Sequence, residues 1–256
     1  MTPRRTTNRE GWNRYADGWQ DARQSAALAD LSPADHARVA HLGDEWSLME
    51  ATRFPYGIPA GFEGPRGLAQ YLETRLLQPH LPQRRDLTIL ELGPGGGRIT
   101  ELLLARAARV YAVDVSESML QHLTTRFAGD DRVTPVVTDG ASLRGVPLDS
   151  IDAFVSFDAC VHMEPHEIFN YLRELVPLLR RGAVGILHAA DATTPIGCEL
   201  FCSQVGPQLR GQREYWMFGI MCAALLRTFL ERLGYEIIRI GDDPIPRDVV
   251  AVFRKP

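Results

Sequence analysis

The chain has 256 residues, of which 45% are hydrophobic, and this is enough to bury one sizeable core. Its formal net charge is −4 and its basic residues are scattered rather than grouped, so nucleic acid is a poor partner. The most apolar stretch, residues 215–230, is shorter than a membrane span, and no targeting segment is visible. We therefore expect a cytoplasmic protein without a membrane partner.

Residues 1–85 show helix signals and no strand alternation. Ser32 and Pro33 are typical of a helix N-cap and first turn, and Gly43 is placed to end that helix. A second run with helical apolar spacing covers residues 67–77. These features predict an N-terminal helical cap or lid ahead of the main domain.

The main domain, residues 86–256, alternates short apolar runs with helical segments, which predicts an α/β fold with a parallel sheet and helices on both faces. The expected strands are 89–92, 110–113, 133–137, 151–157, 183–188, 235–240 and 249–253. The expected helices are 98–107, 117–127, 167–180 and 215–233, the last capped by Gly234. Residues 191–214 are expected to form a long loop, as a lid insertion at about 191–216.

A glycine-rich turn follows the first strand, in the sequence ILELGPGGGR of residues 89–98. Dinucleotide-binding enzymes have G-x-G-x-x-G at this place, but the sixth position counted from Gly93 is Arg98. The run instead fits the pattern acidic-x-G-x-G-x-G through Glu91, Gly93, Gly95 and Gly97. A glycine turn of this kind predicts close approach of a nucleotide-like cofactor to the backbone.

Two further acids follow the next two strands. Asp114 ends the second strand, where a carboxylate can accept hydrogen bonds from both hydroxyls of a ribose. After Val115 comes Ser116, a helix N-cap residue, and Met119 is placed to cover a flat base. The third strand ends in Asp139 and Gly140, and Pro135 within that strand argues against a central position in the sheet.

Each acid also has a simpler interpretation. A single acid after a strand is most often a turn or cap residue, so Asp139 before Gly140 fits a turn and Asp114 beside Ser116 fits a cap. Acids at the ends of three successive strands, with the glycine turn behind the first, make these interpretations the less favoured ones.

This constellation resembles the class I S-adenosylmethionine-dependent methyltransferases of the small-molecule type. The resemblance implies a Rossmann-like seven-stranded sheet, mostly parallel with an antiparallel terminal strand. It also implies S-adenosylmethionine as cofactor, S-adenosylhomocysteine as product, and a crevice between the first and fourth strands. The residues that it implies for cofactor binding are Glu91, Gly93, Gly95, Gly97, Asp114, Val115, Met119, Asp139, Gly140, Phe157 and Tyr15.

In this family the methyl acceptor lies beside the turn after the fourth strand, here Asp158 to His162. His162 is the favoured general base because an imidazole can accept a proton at neutral pH, and the alternative is that it orients the following helix. His188 and Asp191 are the second candidates for base and orienting acid. No metal site is expected, because neither Asp158 with the nearby histidines nor the four cysteines match a metal-binding spacing.

The acceptor is the least constrained part. Trp12, Tyr15, Trp46, Tyr56 and residues 215–218 would form an aromatic wall, or would be ordinary packing residues. We expect methyl transfer to a hydroxyl, or an amine, of a small organic acceptor such as a sugar or a secondary-metabolite intermediate. An NAD(P)-dependent oxidoreductase is the alternative enzyme and a non-catalytic binding protein the third interpretation. The oligomeric state is open, with a homodimer as one option.

Overall fold

The computed structural model describes residues 8–17, 62, 67–212, 214–215, 217–241 and 247–256. The helix expected from Ser32 to Gly43 lies outside the described residues. So do Trp46, Tyr56 and Trp216 of the expected aromatic wall.

A seven-stranded sheet forms the centre of the molecule, in the order β3-β2-β1-β4-β5-β7-β6. Its strands are β1 (Leu87–Leu92), β2 (Ala107–Asp114), β3 (Val133–Val137), β4 (Ile151–Ser156), β5 (Leu179–Ala190), β6 (Glu236–Gly241) and β7 (Asp248–Arg254). β7 runs antiparallel to both of its neighbours, and the other pairs are parallel. The expected fold class is confirmed, and the chain reverses direction across the sheet between β1 and β4, which creates the crevice.

Helices pack on the sheet and across its edge. They are α1 (residues 8–17), α2 (Gly67–Leu72, continued by a π-helical turn Glu73–Leu77 and by Gln78–His80), α3 (Arg98–Leu103), α4 (Glu117–Arg126), α5 (Pro165–Leu175), α6 (Pro195–Leu209) and α7 (Ala223–Arg232). A short 3₁₀ turn, Cys160–His162, follows β4. Within the described residues, every helix is too short or too polar to traverse a bilayer.

Successive side chains of β1 point to opposite layers of the core. Leu90 and Leu92 join one hydrophobic cluster with α5 and α7, whereas Ile89 joins a second cluster with α2 and α3. Because a strand alternates its side chains between two faces, only a strand covered on both sides needs an almost continuous apolar run. The sequence of β1 therefore follows from its central place in the sheet.

Pro135 lies in β3, the strand at one edge of the sheet, opposite Ala112 of β2. An edge strand tolerates a proline because one side of its backbone has no partner strand. The expectation that this strand is not central is confirmed.

The loop expected over residues 191–214 is wrong, because α6 occupies most of it. Thr194 caps this helix by accepting a hydrogen bond from the backbone N–H of Gly197 at 3.0 Å, and Pro195 takes the first helical position. An internal proline, Pro207, and the lack of a one-sided apolar stripe concealed the helix in the sequence.

The helix expected over residues 215–233 is also shorter, because it begins only at Ala223. In the segment ahead of it, the backbone N–H of Gly219 donates to the carbonyl of Val161 at 2.7 Å. A Cβ on Gly219 would come 1.8 Å from the Met163 carbonyl oxygen. This segment is therefore an extended strap lying on the turn after β4, and that tertiary contact replaces local helix formation.

Candidate functional site

The glycine turn between β1 and α3 requires glycine for two separate reasons. Gly93, Gly95 and Gly97 have φ angles of 72°, 53° and 92°, a left-handed region that glycine enters at little cost. A Cβ on Gly93 would also come 2.2 Å from the Cβ of Ala159, and one on Gly97 would come 2.5 Å from the ring of Phe127. The turn is thus shaped both by its own backbone and by the elements packed against it.

Side chains from neighbouring elements hold the turn in place. Glu91, buried at the end of β1, accepts a hydrogen bond of 2.6 Å from the hydroxyl of Thr100 in α3. Arg126, the last residue of α4, donates to the Gly96 carbonyl at 3.0 Å and to Glu101 at 2.5 Å. A turn fixed from two helices and a strand is pre-organised for a ligand, which reduces the entropy cost of binding.

Asp114 lies beside this turn at the end of β2, and its side chain is partly exposed. Burial raises the pKa of its carboxyl to about 6, although backbone N–H groups of Ser116, Gly95 and Val115 act in the opposite direction. The Ser116 N–H donates to Asp114 Oδ1 at 2.9 Å, a turn contact between residues two apart, while the N-cap of the helix is Ser116 itself. The acid therefore shapes the turn after β2 and lies at the carboxyl end of that strand, beside the glycine turn.

The helix after Asp114 begins as expected. The Ser116 hydroxyl accepts a hydrogen bond from the backbone N–H of Met119 at 3.1 Å, which confirms Ser116 as the N-cap. The same hydroxyl donates to Oδ1 of Asn13 in α1 at 2.7 Å. Val115 is partly exposed and Met119 is buried, and their contact with a base stays a prediction.

In the loop after β3, Asp139 forms the tight turn that is its simpler interpretation in the sequence. Asp139 Oδ1 accepts hydrogen bonds from the backbone N–H groups of Ala141 and Ser142 at 3.0 and 2.8 Å. Gly140 adopts a φ of 81°, as a glycine in a tight turn can. The Asp139 side chain is nevertheless exposed at the end of the strand, and its contact with an adenine stays a prediction.

The turn after β4 holds Asp158 in an unusual backbone conformation. Asp158 has a φ of 64°, which costs a non-glycine residue about 1–2 kcal/mol. Its carboxylate accepts a hydrogen bond from Arg98 at 3.2 Å. Burial raises the pKa of this carboxyl, but the nearby charge and hydrogen bond of Arg98 act against burial, and the pKa lies below its usual value. Arg98, the residue that broke the dinucleotide pattern, thus joins the glycine turn to the turn after β4.

His188 and Asp191 do not form the pair expected from the sequence. Both ring nitrogens of the buried His188 are engaged, Nδ1 by the backbone N–H of Asp158 at 3.1 Å and Nε2 by Asp248 Oδ2 at 2.8 Å. The physical reason is that β5 ends at Ala190, so Asp191 lies in the loop beyond the strand rather than beside His188. Asp248 reaches His188 because antiparallel β7 lies beside β5.

Asp191 organises a loop instead. Its Oδ1 accepts hydrogen bonds from the backbone N–H and the hydroxyl of Thr193 at 2.8 and 2.6 Å, and its Oδ2 accepts from the Ala223 N–H at 3.2 Å. It therefore links the starts of α6 and α7.

His162 lies in an aromatic group beside the turn after β4. Its ring centre is 5.0 Å from that of Trp12 and 5.0 Å from that of Phe218. Trp12 also packs edge-on against Tyr15 at 5.6 Å and Tyr215 at 5.0 Å. The described members of the expected aromatic wall thus contact one another, and their place at an acceptor stays a prediction. Phe157, expected at the cofactor, is buried and stacks on His188 at 4.5 Å.

The helix α1 lies across the carboxyl ends of the strands. His122 Nε2 contacts the Ala16 carbonyl at 3.0 Å, and Arg9 donates to the Thr138 carbonyl at 3.5 Å. A Cβ on Gly11 would come 2.4 Å from the ring of Tyr215. α1 therefore touches the loops after β2, β3 and β4 and closes the crevice from outside.

Several residues of this site carried no interpretable signal in the sequence. Arg247, Asp248 and Asn13 reach it only through the β5–β7 register or through the docking of α1. Arg98 did carry a signal in the sequence, because it stands where the dinucleotide-binding pattern has its third glycine. Among the described residues, no group of three or more His, Cys, Asp or Glu side chains is arranged to hold a metal ion.

Comparison with known proteins gives matches to methyltransferases. Residues 89–182 match the family model described as a methyltransferase domain. A demethylmenaquinone methyltransferase from Clavibacter sepedonicus is 35% identical over 144 residues, which cover 53% of this chain and 54% of that enzyme. The chain thus matches about half the length of that curated relative. A ribosomal RNA small subunit methyltransferase A from Acidobacterium capsulatum is 42% identical over 52 residues, covering 20% of this chain and 18% of that enzyme.

Solved structures extend the likeness along the chain. Geranyl diphosphate C-methyltransferase from Streptomyces coelicolor A3(2), in complex with Mg²⁺, geranyl diphosphate and S-adenosyl-L-homocysteine, superposes with a TM-score of 0.63 at 14% identity. The superposition covers 100% of this chain and 99% of that one, which shows a shared fold. Residues 89–182 are thus similar to a methyltransferase domain, and the chain shares its fold with a methyltransferase solved with S-adenosyl-L-homocysteine.

Proposed function

We propose that this protein binds S-adenosylmethionine in the crevice and transfers its methyl group to a hydroxyl or amine of a small organic acceptor. The observation that carries the proposal is the partly exposed Asp114 carboxyl beside a turn built on three left-handed glycines. A carboxylate at this place suits the two hydroxyls of a ribose, and the glycines let an adenosyl group approach the backbone.

The residues present fit this cofactor. A Cβ on Gly93 or Gly97 would fill the turn, so the turn's shape depends on glycine at these positions. In the proposal, Asp114 holds the ribose, Met119 and Val115 flank the base, Asp139 and Gly140 lie at its amine, and Glu91, Gly95, Phe157 and Tyr15 complete the surroundings. When bound, S-adenosylmethionine supplies a methyl group on a sulfonium, and the protein's task is orientation, worth about 7–11 kcal/mol in well-aligned systems.

The strand order argues against the oxidoreductase alternative. The classic dinucleotide-binding sheet has the strand order 3-2-1-4-5-6, whereas here an antiparallel β7 lies between β5 and β6. Arg98, at the place of the third glycine of the dinucleotide pattern, makes an ion pair with Asp158.

S-adenosylhomocysteine is therefore expected to raise the melting temperature of the protein, and NADH is expected to leave it unchanged. A ligand that binds only the folded state stabilises it by about 2.7 kcal/mol at a concentration one hundred times its Kd. Thermal denaturation with each ligand at matched concentration is the measurement. Stabilisation by NADH alone would overturn the proposed function.

The raised pKa of Asp114, about 6, gives cofactor binding a pH dependence. Ribose hydroxyls donate to the ionised carboxylate, so binding at lower pH must release a proton from the free protein. The Kd for S-adenosylhomocysteine is expected to be constant above about pH 7 and to rise by up to about tenfold for each pH unit below 6. Calorimetry from pH 5 to 8 measures it, with Asp114→Asn as the control that loses the dependence; a flat profile in the unchanged protein contradicts the account.

The effect of pH on folding stability through Asp114 is opposite to its effect on cofactor binding. Because the folded-state pKa of Asp114 lies above its usual value, the folded protein holds a proton between about pH 4 and 6 that the unfolded chain has lost. This group therefore favours folding below pH 4 and loses that contribution as the pH rises through 6. In the ligand-bound state, hydrogen bonds from the ribose would offset the unfavourable burial of the ionised Asp114 carboxylate.

On the acceptor side, His162 is the proposed general base, with Trp12 and Phe218 fixing its ring from two sides. A base of this kind contributes about 10²–10⁴-fold when the nucleophile is a hydroxyl that must lose its proton, and less for an amine. Asp158 would act through charge, since its carboxylate lowers the cost of a protonated imidazole nearby. His188 and Asp191 are proposed to position the surrounding loops.

Replacing His162 by alanine is expected to lower the turnover number with a hydroxyl acceptor by at least about 10²-fold and to leave S-adenosylhomocysteine affinity unchanged. His162→Gln is the matched variant, because it keeps a polar side chain between the two aromatic rings but cannot accept the proton. If both variants turned over as fast as the unchanged protein, His162 would not be the general base.

The acceptor class is proposed from the wall of the crevice. Trp12, Tyr15, Tyr215 and Phe218 line up beside His162 and suit a mid-sized organic molecule, such as a sugar or a secondary-metabolite intermediate. The relatives named for menaquinone and geranyl diphosphate chemistry support a small acceptor for this chain. A cytoplasmic location and a homodimer stay predictions of the same proposal.

RNA is the second candidate acceptor, favoured by the local similarity to a ribosomal RNA methyltransferase. The net charge of −4 favours the small acceptor, because RNA binding depends on a basic surface. Incubation with methyl-labelled S-adenosylmethionine, total cellular RNA and a small-molecule extract separates the two. Label in the RNA fraction alone would show that RNA, and not a small molecule, is the methyl acceptor.

A further inference from the structure

We propose that His188, Asp248 and Arg247, called here the β5–β7 clamp, position the turn that carries Asp158 and His162. The clamp would then fix the acceptor side of the crevice from inside the core without touching substrate. The proposal rests on the function proposed for that turn.

The clamp is a continuous chain of polar contacts through the protein interior. His188 Nδ1 accepts a hydrogen bond from the backbone N–H of Asp158 at 3.1 Å, and His188 Nε2 lies 2.8 Å from Asp248 Oδ2. Arg247 donates to both carboxylate oxygens of Asp248, at 2.7 and 2.5 Å. The exposed fractions of His188, Asp248 and Arg247 are 0%, 0% and 5%.

The geometry fixes the protonation of the histidine. A backbone N–H can only donate, so Nδ1 of His188 carries no proton, and the ring proton is on Nε2, facing Asp248. Arg247 balances the charge of Asp248, so the clamp as a whole is neutral. With both nitrogens committed, His188 has no lone pair to offer an acceptor, which makes it a positioning residue rather than a base.

The clamp reaches the turn at two places. At one end, the His188 ring holds the backbone of Asp158, which has the left-handed φ of 64°. At the other end, the Arg247 guanidinium lies 4.1 Å from the centre of the Phe218 ring, and Phe218 packs on His162 at 5.0 Å. The first and last residues of the turn are therefore both supported by the clamp.

The surroundings explain why such support is needed. A non-glycine residue in the left-handed region persists only where its neighbours impose it. Arg98 holds the Asp158 carboxylate from the other side, and Ala159 packs against Gly93 of the glycine turn. Buried ion pairs are often no more stabilising than apolar residues of equal size, so the contribution of the Arg247–Asp248 pair is to geometry.

Two substitutions at one position separate the positioning role from general stability. In His188→Asn the side-chain amide oxygen can take the place of Nδ1 and accept the Asp158 N–H, but the contact with Asp248 is lost. In His188→Leu both contacts are lost. Ile186→Ala, two residues earlier on β5 and equally buried, is the control for loss of core packing.

Amide hydrogen exchange in the full chain, read on the peptide covering residues 158–162, is the measurement. We expect exchange about tenfold or more faster in His188→Leu, within about threefold of the unchanged protein in His188→Asn, and no selective change in Ile186→Ala. Nitrogen-15 NMR should show one bare and one protonated ring nitrogen for His188. The proposal would be overturned if exchange were accelerated equally in the His188→Leu and His188→Asn variants, or if it were not accelerated in His188→Leu. A proton on His188 Nδ1 would overturn it as well.

These results do not depend on catalysis. If the unchanged protein fails to bind S-adenosylhomocysteine, the proposed function is contradicted and the exchange comparison still decides whether the clamp holds the turn. If it binds, the Leu variant should lose less affinity than an Asp114 variant, because Asp114 lies in another loop and the clamp reaches the proposed cofactor surroundings only through Phe157, which stacks on His188; loss of affinity equal to that of an Asp114 variant would contradict a role centred on the acceptor side.

Discussion

Replacing Asp114 by alanine is expected to weaken S-adenosylhomocysteine binding by about tenfold or more. The carboxylate would lose charge-assisted hydrogen bonds to the ribose, worth about 1.5–3 kcal/mol each. The free protein should be destabilised little, because removing a carboxyl whose pKa burial has raised to about 6 offsets the lost contact with the Ser116 N–H. Isothermal titration calorimetry measures the affinity, and urea denaturation measures the free energy of unfolding.

Asp130→Ala is the matched control for this experiment. Asp130 is also a turn acid that pairs with Arg132 at 2.6 Å, but it precedes β3 and so lies at the amino end of that strand, whereas the crevice lies at the carboxyl ends. Its removal should leave the affinity unchanged. Equal affinity of the Asp114 and Asp130 variants would mean that Asp114 serves only the turn contact with the Ser116 N–H.

Replacing Gly93 by alanine is the second change with a large expected effect. The new Cβ would come 2.2 Å from the Cβ of Ala159, and the residue would keep a φ of 72°. The left-handed backbone costs about 1–2 kcal/mol and the overpacking about 1–3 kcal/mol, so the free energy of unfolding should fall by about 2–5 kcal/mol. Cofactor affinity should fall with it, because the turn must move away from the loop after β4.

Gly129→Ala separates the two costs, because Gly129 has a φ of 88° and no atom within 4 Å of a built Cβ. It should show the backbone cost alone. Adding Ala159→Gly to the Gly93 variant should recover the overpacking cost and leave the backbone cost. Denaturation curves that are equal for Gly93→Ala and Gly129→Ala would contradict the close packing of the two turns.

The parts of the fold that could be predicted from the sequence are those set by local spacing. The glycine turn, Asp114 and the Ser116 cap follow each other within one strand–turn–helix unit, so their order alone indicated their places. The parallel order of β1 to β5 followed from strands alternating with helices. Pro135 marked an edge strand for a reason that is purely backbone chemistry, since proline has no N–H.

The parts that were missed depend on contacts between distant segments. The pairing of His188 with Asp248 requires the antiparallel register of β5 and β7, and no local pattern gives a register. α6 was taken for a loop although Thr194 and Pro195 are a clear helix start, because its apolar residues do not follow one face. The docking of α1 onto the strand ends likewise comes from tertiary contacts such as Asn13 with Ser116.

The most direct test of the account is a crystal structure of the protein grown with S-adenosylhomocysteine. The account predicts that the adenosyl group lies against the glycine turn from Gly93 to Gly97, with both ribose hydroxyls on the carboxylate of Asp114. A ribose placed away from Asp114, or a turn that stays empty at saturating ligand, would contradict it.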